Sequence, residues 1–182
     1  MRIISGKYGG RKILPPAQMP HTRPTTDRAK EGLFNILQNS FPIEGCKTLD
    51  LFGGTGAISF ELASRGSARQ VLIEKDQKQA GFIENAARQI GIPDLKVFQT
   101  DVRKYLRQTA EQFDFIFAGP PYKLTWIDEI PDMIFEHHLL KEDGWFVLEH
   151  TAEHQFDKHP YFSQKRNYGD TIFSIFIFLP AK

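Results

Sequence analysis

The sequence predicts a single α/β domain built on a mostly parallel sheet with helices on both faces, closed by an antiparallel hairpin. Three observations predict it. From residue 48 to about residue 150, short apolar runs alternate with longer amphipathic segments, and such alternation buries strands between two helical layers. The first run ends in a glycine-rich turn, Gly53-Gly54-Thr55-Gly56, at the kind of strand end where open α/β sheets hold ligands. The last two runs, 161–169 and 171–179, flank Gly169-Asp170, a hairpin signal that sets the final strand antiparallel to the rest.

Each element follows in order. Before the alternation, RIISGKYGGRKI pairs two short apolar runs around Gly9-Gly10 and predicts a hairpin. In RPTTDRAKEGLFNIL, Pro24 and Thr25 or Thr26 begin a helix with Leu33, Phe34 and Leu37 on one stripe, and Asp27 early in it suits the helix dipole. TLDLF (48–52) is the first strand of the sheet. The helix after it carries apolar residues at 57, 58, 62 and 63, with Gly66 as its C-cap. QVLIE (70–74) is the next strand, followed by a helix from Asp76, its cap, to Ile90. LKVFQ (95–99), a helix after Asp101, and FDFIFA (113–118) continue the series. Residues 127–140 read as helix and 144–150 as strand.

Bulk properties restrict the functional classes. A chain of 182 residues with 41% hydrophobic content and sixteen phenylalanines is expected to form one domain with an aromatic core. The domain divides into a basic arm, 1–30, and a core, 48–182. The single cysteine, Cys46, rules out a disulfide framework or a multi-cysteine metal site within one chain and reads as a small buried residue. No secretory h-region is visible and no apolar run approaches membrane-spanning length, so a soluble cytoplasmic protein is expected. The formal charge of +1 conceals a net +6 over residues 1–30 against −5 beyond. A basic arm on a mildly acidic body points to a polyanion.

The glycine turn and three acids point to a cofactor. Gly53, Gly54 and Gly56 let the backbone turn and approach a ligand without Cβ clashes. Residues 54–59 come within one residue of the dinucleotide fingerprint, which keeps a nicotinamide oxidoreductase open. Asp50, inside the strand three residues before Gly53, separates the two readings. A carboxylate repels a pyrophosphate but suits the ammonium or sulfonium of S-adenosylmethionine. Glu74, ending the next strand, suits a ribose diol. Asp101, after the following strand, is placed for an adenine amine, with Val102 packing on the ring; a helix N-cap is the other reading of Asp101.

At the end of the fourth parallel strand stands FAGPPY, residues 117–122. Prolines cannot donate to a sheet ladder, so the strand ends near Gly119 in a stiff turn. This stretch resembles motif IV of amino-group methyltransferases, an Asp or Asn followed by Pro-Pro and an aromatic residue. With RIISGKYGGRKI, RPTTDR running into LFNIL, and LDLFGGTG in the same order, the whole chain resembles the RsmD-type guanine-N2 methyltransferases of small-subunit rRNA. The resemblance implies a class I S-adenosylmethionine-dependent methyltransferase with a Rossmann-like seven-stranded mixed sheet, a terminal antiparallel hairpin and a basic N-terminal extension. It implies a catalytic turn of Gly119, Pro120, Pro121 and Tyr122, and a cofactor site of Asp50, Phe52, Gly53, Gly54, Gly56, Glu74, Lys75, Asp101 and Val102. Thr25 and Arg28, with Arg23, would lie beside cofactor and target base. Arg2, Lys7, Arg11, Lys12 and Arg23 would meet RNA phosphates, which position RNA without reading its sequence. The implied partner is small-subunit rRNA within an assembling subunit, with no membrane involved and a monomeric working form.

An exocyclic base amine has its lone pair delocalised into the ring and is a poor nucleophile. Acceptors around its protons favour the pyramidal form; in the family the motif IV side chain and the first proline's carbonyl supply them. The aromatic residue stacks on a splayed base. Gly119 departs from the pattern, because it has no side chain. Three readings compete: backbone carbonyls of Gly119 and Pro120 suffice together with a nearby acceptor, Asp27 or Glu149; the enzyme is slower or has a shifted substrate; or the domain binds without catalysing. Adenine N6 or a glutamine amide remain alternative acceptors within the enzyme class. His150 and His154, spaced i, i+4 with Glu149, Glu153 and His159 nearby, are read as a solvated incidental cluster rather than a metal site, since methyl transfer needs none.

Overall fold

Residues 1–16 and 25–178 are described in a computed structural model of the chain. Seven strands form one mixed sheet in the order β3-β2-β1-β4-β5-β7-β6. They are β1 Lys47–Asp50, β2 Arg69–Glu74, β3 Leu95–Gln99, β4 Phe113–Ala118, β5 Leu140–His150, β6 Phe162–Tyr168 and β7 Thr171–Phe176. The first five run parallel, and β7 pairs antiparallel with both β5 and β6. β1 lies between β2 and β4, so the strand order reverses there and the crevice beyond its carboxyl end is where such a sheet takes a ligand.

Five α-helices accompany the strands: α1 Asp27–Ser40, α2 Ala57–Ser64, α3 Gln77–Ile90, α4 Val102–Gln108 and α5 Ile130–Glu136. Successive side chains of the central strands point to opposite faces, both of them buried, and sort the helices to the two sides of the sheet. Phe115 and Phe117 of β4, with Val147 and Phe173, pack against Leu33, Phe34 and Leu37 of α1 and Ile58 and Leu62 of α2. Ile116 and Ala118, with Phe146 and Leu148, pack on the opposite face against Leu106, Ile130 and Ile134. α1 therefore packs into the same core as the sheet. Cys46 is buried at the start of β1.

Two expected elements within the alternating region differ. The helix expected over 127–140 is a short 3-10 turn, Ile127–Glu129, and then α5. Pro131 lies in the first turn of α5, where its missing N–H costs nothing, and His138, at φ 53, takes the left-handed conformation that ends the run. The strand expected at 144–150 begins earlier, at Leu140 opposite Phe113, and crosses a register shift between Phe113 and Phe115. Gly144 lies at this irregularity, and a Cβ there would come within 2.9 Å of the Asp114 carbonyl.

The N-terminal arm is held to the body. Instead of a regular hairpin it makes one antiparallel bridge, Arg2 with Lys12. Ile3, Tyr8 and Ile13 are buried against Phe60 of α2 and Ile83 of α3. Glu61, fully buried, accepts the Ile4 and Ser5 backbone N–H groups at 2.7 and 3.1 Å and the Arg65 guanidinium at 2.8 Å. The buried Lys30 ammonium donates to the Arg2 carbonyl at 2.7 Å, and burial lowers its pKa, with Glu61 opposing.

Candidate active site

The carboxyl ends of β1, β2, β4 and β5 converge on one crevice. Asp50, last residue of β1, is 2% exposed. One oxygen accepts the Ser59 hydroxyl at 3.2 Å; the other, Oδ1, is buried with no hydrogen-bond partner. Burial pushes its carboxyl up to about 7, with the Glu74 and Glu149 carboxylates adding and the Ser59 hydroxyl and Phe52 N–H opposing. An orphaned buried carboxylate oxygen is costly unless a cation completes it. This donor set fits the cationic sulfonium or ammonium of S-adenosylmethionine.

The glycine turn has a steric cause at each key position. Gly53 donates to the Ile73 carbonyl at 2.9 Å, drawing the turn against β2. A Cβ on Gly53 would lie 2.2 Å from Leu72 Cδ2. Gly56 N-caps α2 at φ 78, a conformation open to glycine and strained for other residues. Glu74 braces the turn: its two oxygens accept Gly54 N–H at 2.9 Å and Asp76 N–H at 2.8 Å. Burial raises its pKa, with those backbone bonds opposing. Each Glu74 oxygen keeps a second lone pair in addition, so bracing the turn and receiving a diol are compatible.

α4 starts just beyond the carboxyl end of β3. Asp101 is the N-cap, accepting Arg103 N–H at 3.0 Å and Lys104 N–H at 3.4 Å through Oδ1, so the capping reading holds for that oxygen. Its Oδ2 lies 4.0 Å from the exposed Lys75 ammonium, and Val102 is buried. The ring of Phe52 lies 6.1 Å from that of Trp126, and the Arg103 guanidinium lies 4.4 Å over Trp126.

Asp50 pairs with Phe117 in the β1–β4 ladder, which places Gly119-Pro120-Pro121-Tyr122 beside the cofactor crevice. Beyond Ala118, which pairs with Leu148, Gly119 faces Glu149 on the neighbouring strand. A Cβ on Gly119 would lie 3.5 Å from Glu149 Oε2 and 3.0 Å from Phe117 Cε1. Glu149, 5% exposed, accepts the Tyr122 hydroxyl at 3.2 Å and the Thr25 hydroxyl at 2.5 Å. The Thr25 bond brings the start of α1 to the site. Arg28 and Asp27 lie exposed in the first turn of α1, and Arg23 lies outside the described residues.

The remaining basic residues lie elsewhere. The Arg11 guanidinium donates to the Ile90 carbonyl at 2.7 Å and Lys7 N–H to the Ser64 carbonyl at 2.7 Å. Ile90 and Ser64 end α3 and α2, at the amino-terminal end of the parallel strands, opposite the crevice. Arg2 and Lys12 are exposed beside them on the arm. The histidine cluster is not solvated as expected: His150 is buried and bonds Ser174 Oγ at 2.7 Å, while His154 and His159 pair with Asp128 and Asp132. The His150 ring is a core group because β5 continues through it. Sequence reasoning misses Ser59 as the support of Asp50; its position i+9 from Asp50, on the first turn of the helix after the glycine loop, is the only sequence signal.

Fold and site define a class I S-adenosylmethionine-dependent methyltransferase. The sequence matches the family described as conserved hypothetical protein 95 over residues 1–177. It is 32% identical over 149 residues to ribosomal RNA small subunit methyltransferase D of Escherichia coli K12, covering 82% of this chain and 71% of that protein. The chain belongs to this RsmD family. Among solved structures, a hypothetical protein of Thermus thermophilus superposes with a TM-score of 0.85 at 27% identity, covering 97% of this chain and 99% of that one. The Thermus thermophilus 16S rRNA N2 G1207 methyltransferase, in complex with AdoMet and guanosine, shares the fold at a TM-score of 0.68 and 20% identity, over 86% of this chain and 44% of that chain. No helix among the described residues is long and apolar enough to cross a membrane.

Proposed function

We propose that the protein transfers a methyl group from S-adenosylmethionine to the exocyclic N2 amine of a guanine in small-subunit rRNA. The observation that carries the reading is the placement of the Pro-Pro-Tyr turn: it leaves β4 beside the strand whose last residue is the orphaned Asp50 carboxylate. The relatives named for rRNA methylation supply the substrate class.

When bound, the cofactor supplies an electrophilic methyl group on a cationic sulfur. The chain's residues do the rest by positioning, since the leaving sulfur becomes neutral and needs no charge stabilisation. Asp50 holds the cationic end, Glu74 and Lys75 lie toward the ribose, and Asp101 and Val102 take the adenine. Pro120 presents a fixed carbonyl to an amine proton, and Tyr122 stacks on the base. Pro121 stiffens the turn, so little reorganisation is needed. A base splayed from a single-stranded loop meets these requirements. Arg2, Lys7, Arg11 and Lys12 contact phosphates distant from the target loop, and a substrate of subunit size spans that separation. The activity is cytoplasmic and the chain works as a monomer on an assembling subunit.

Gly119 favours a second reading, a domain that binds cofactor and RNA without transferring the methyl group. Mass spectrometry of nucleosides from small-subunit rRNA separates the two. Cells lacking this protein are expected to miss one N2-methylguanosine, restored by the wild type and not by Tyr122→Ala. An unchanged nucleoside profile on deletion contradicts the proposal.

A further inference from the structure

The catalytic turn has a gap at Gly119, and a carboxylate from another strand stands at it. Glu149 lies on β5, one strand over, with Oε2 at 3.5 Å from where a Cβ on Gly119 would be. That oxygen lies close to the volume that the side-chain oxygens of an aspartate or asparagine at 119 would fill. Its position is fixed: the strand register aligns Ala118 with Leu148, Thr25 and Tyr122 donate hydroxyls to its two oxygens, and the residue is 5% exposed. A carboxylate so placed is pre-organised, which is what makes an acceptor effective in a transition state.

We propose that Glu149 is a catalytic residue, the acceptor that aligns the target amine in place of a side chain at position 119. The inference rests on the proposed guanine reading. Guanine's Watson–Crick edge shows N1–H and the 2-amine side by side, both donors, and an ionised carboxylate, which only accepts, is their complement. With one amine proton on Glu149 and the other on the Pro120 carbonyl, the nitrogen lone pair turns out of the ring's π system. The lone pair forms the N–CH3 bond as the S–CH3 bond breaks and its electron pair returns to sulfur. One amine proton, acidified by the new bond, passes to the Glu149 carboxylate and from there to water. Tyr122 joins the two halves of the device, since its hydroxyl holds Glu149 and its ring meets the same base.

The test is reciprocal relocation of the acceptor. Single-turnover methyl transfer to small ribosomal subunits from cells lacking this protein is measured for wild type, Glu149→Ala, and Glu149→Ala combined with Gly119→Asp or Gly119→Asn. Affinity for S-adenosylhomocysteine and the thermal midpoint are measured alongside. Loss of one pre-organised group of this kind costs roughly 100-fold in rate or more. Glu149→Ala is expected to lose about that factor while keeping cofactor affinity, and a side chain restored at 119 is expected to recover at least tenfold. A purely structural Glu149 shows its loss in the thermal midpoint and the cofactor affinity, whereas the loss of an acceptor shows in the rate alone. The proposal is overturned if Glu149→Ala stays within about threefold of wild type, or if neither double variant recovers activity at wild-type cofactor affinity and midpoint. Failure of the guanine reading shows separately, as a wild type that labels no guanine.

Discussion

Replacing Asp50 by asparagine is expected to stabilise the cofactor-free protein at alkaline pH while weakening its hold on S-adenosylmethionine. Burial raises the Asp50 pKa from 3.8 to about 7, a shift of about three units worth about 4 kcal/mol. The sign follows from proton counting. Between the two pKa values the folded chain holds a proton that the unfolded chain has released, so Asp50's favourable contribution is complete below pH 3.8 and is lost as pH rises through about 7. Most of that loss, about 2–3 kcal/mol, falls between pH 5 and pH 8. Asparagine cannot ionise, so the stability of Asp50→Asn relative to wild type should rise by about 2–3 kcal/mol over that interval, whatever constant offset the amide introduces. Urea denaturation at pH 5 and pH 8 reads the difference directly. Isothermal titration with S-adenosylmethionine supplies the other half: wild-type affinity should fall as pH drops from 8 to 6, by up to about tenfold per unit, and the variant should bind weakly with little pH dependence. A stability difference that is the same at both pH values, or a variant that binds as tightly as wild type at pH 8, refutes the reasoning.

Other expectations follow from neighbouring contacts. Gly53→Ala places a methyl 2.2 Å from Leu72 Cδ2 and should cost about 1–3 kcal/mol through overpacking, lowering the thermal midpoint by roughly 3–10 °C and cutting cofactor affinity. Glu61→Ala removes the buried carboxylate that accepts Ile4 and Ser5 N–H. It should destabilise by about 3–5 kcal/mol and expose Lys7, Arg11 and Lys12 to trypsin well before the core. Converting Lys7 and Lys12 to glutamine should reduce the slope of log affinity for rRNA against log salt by about 1–2, without changing cofactor binding.

Most of the architecture could be read from local patterns. The strands at 70–74, 95–99 and 113–118 are short apolar runs bounded by turn residues, and Asp76 and Asp101 stand where the caps of α3 and α4 are found. The errors came where tertiary contacts override local signals. Lys141, Glu142 and Asp143 look like a polar turn, yet they continue β5 because Leu140 finds a partner in Phe113 across a register shift. The arm's glycines predict a hairpin but say nothing of what holds it, and its buried anchor, Glu61, is a helical glutamate with no local mark of its role. The glycine turn, Asp50, Glu74 and the Pro-Pro-Tyr turn stand in short contiguous stretches at strand ends, and the structure brings them to one crevice. Glu149 could be named only as one of two nearby acids. Its choice over Asp27 depends on the β4–β5 register, a long-range property that no window of sequence contains.

The central claim is tested most directly by transfer of radiolabelled methyl from S-adenosylmethionine to small ribosomal subunits isolated from cells lacking this protein, with the rRNA digested and resolved by nucleoside. Label in N2-methylguanosine is the predicted result, and it would show that a turn with glycine at position 119 is catalytically competent. Absence of label from rRNA, with S-adenosylmethionine still bound, would contradict it.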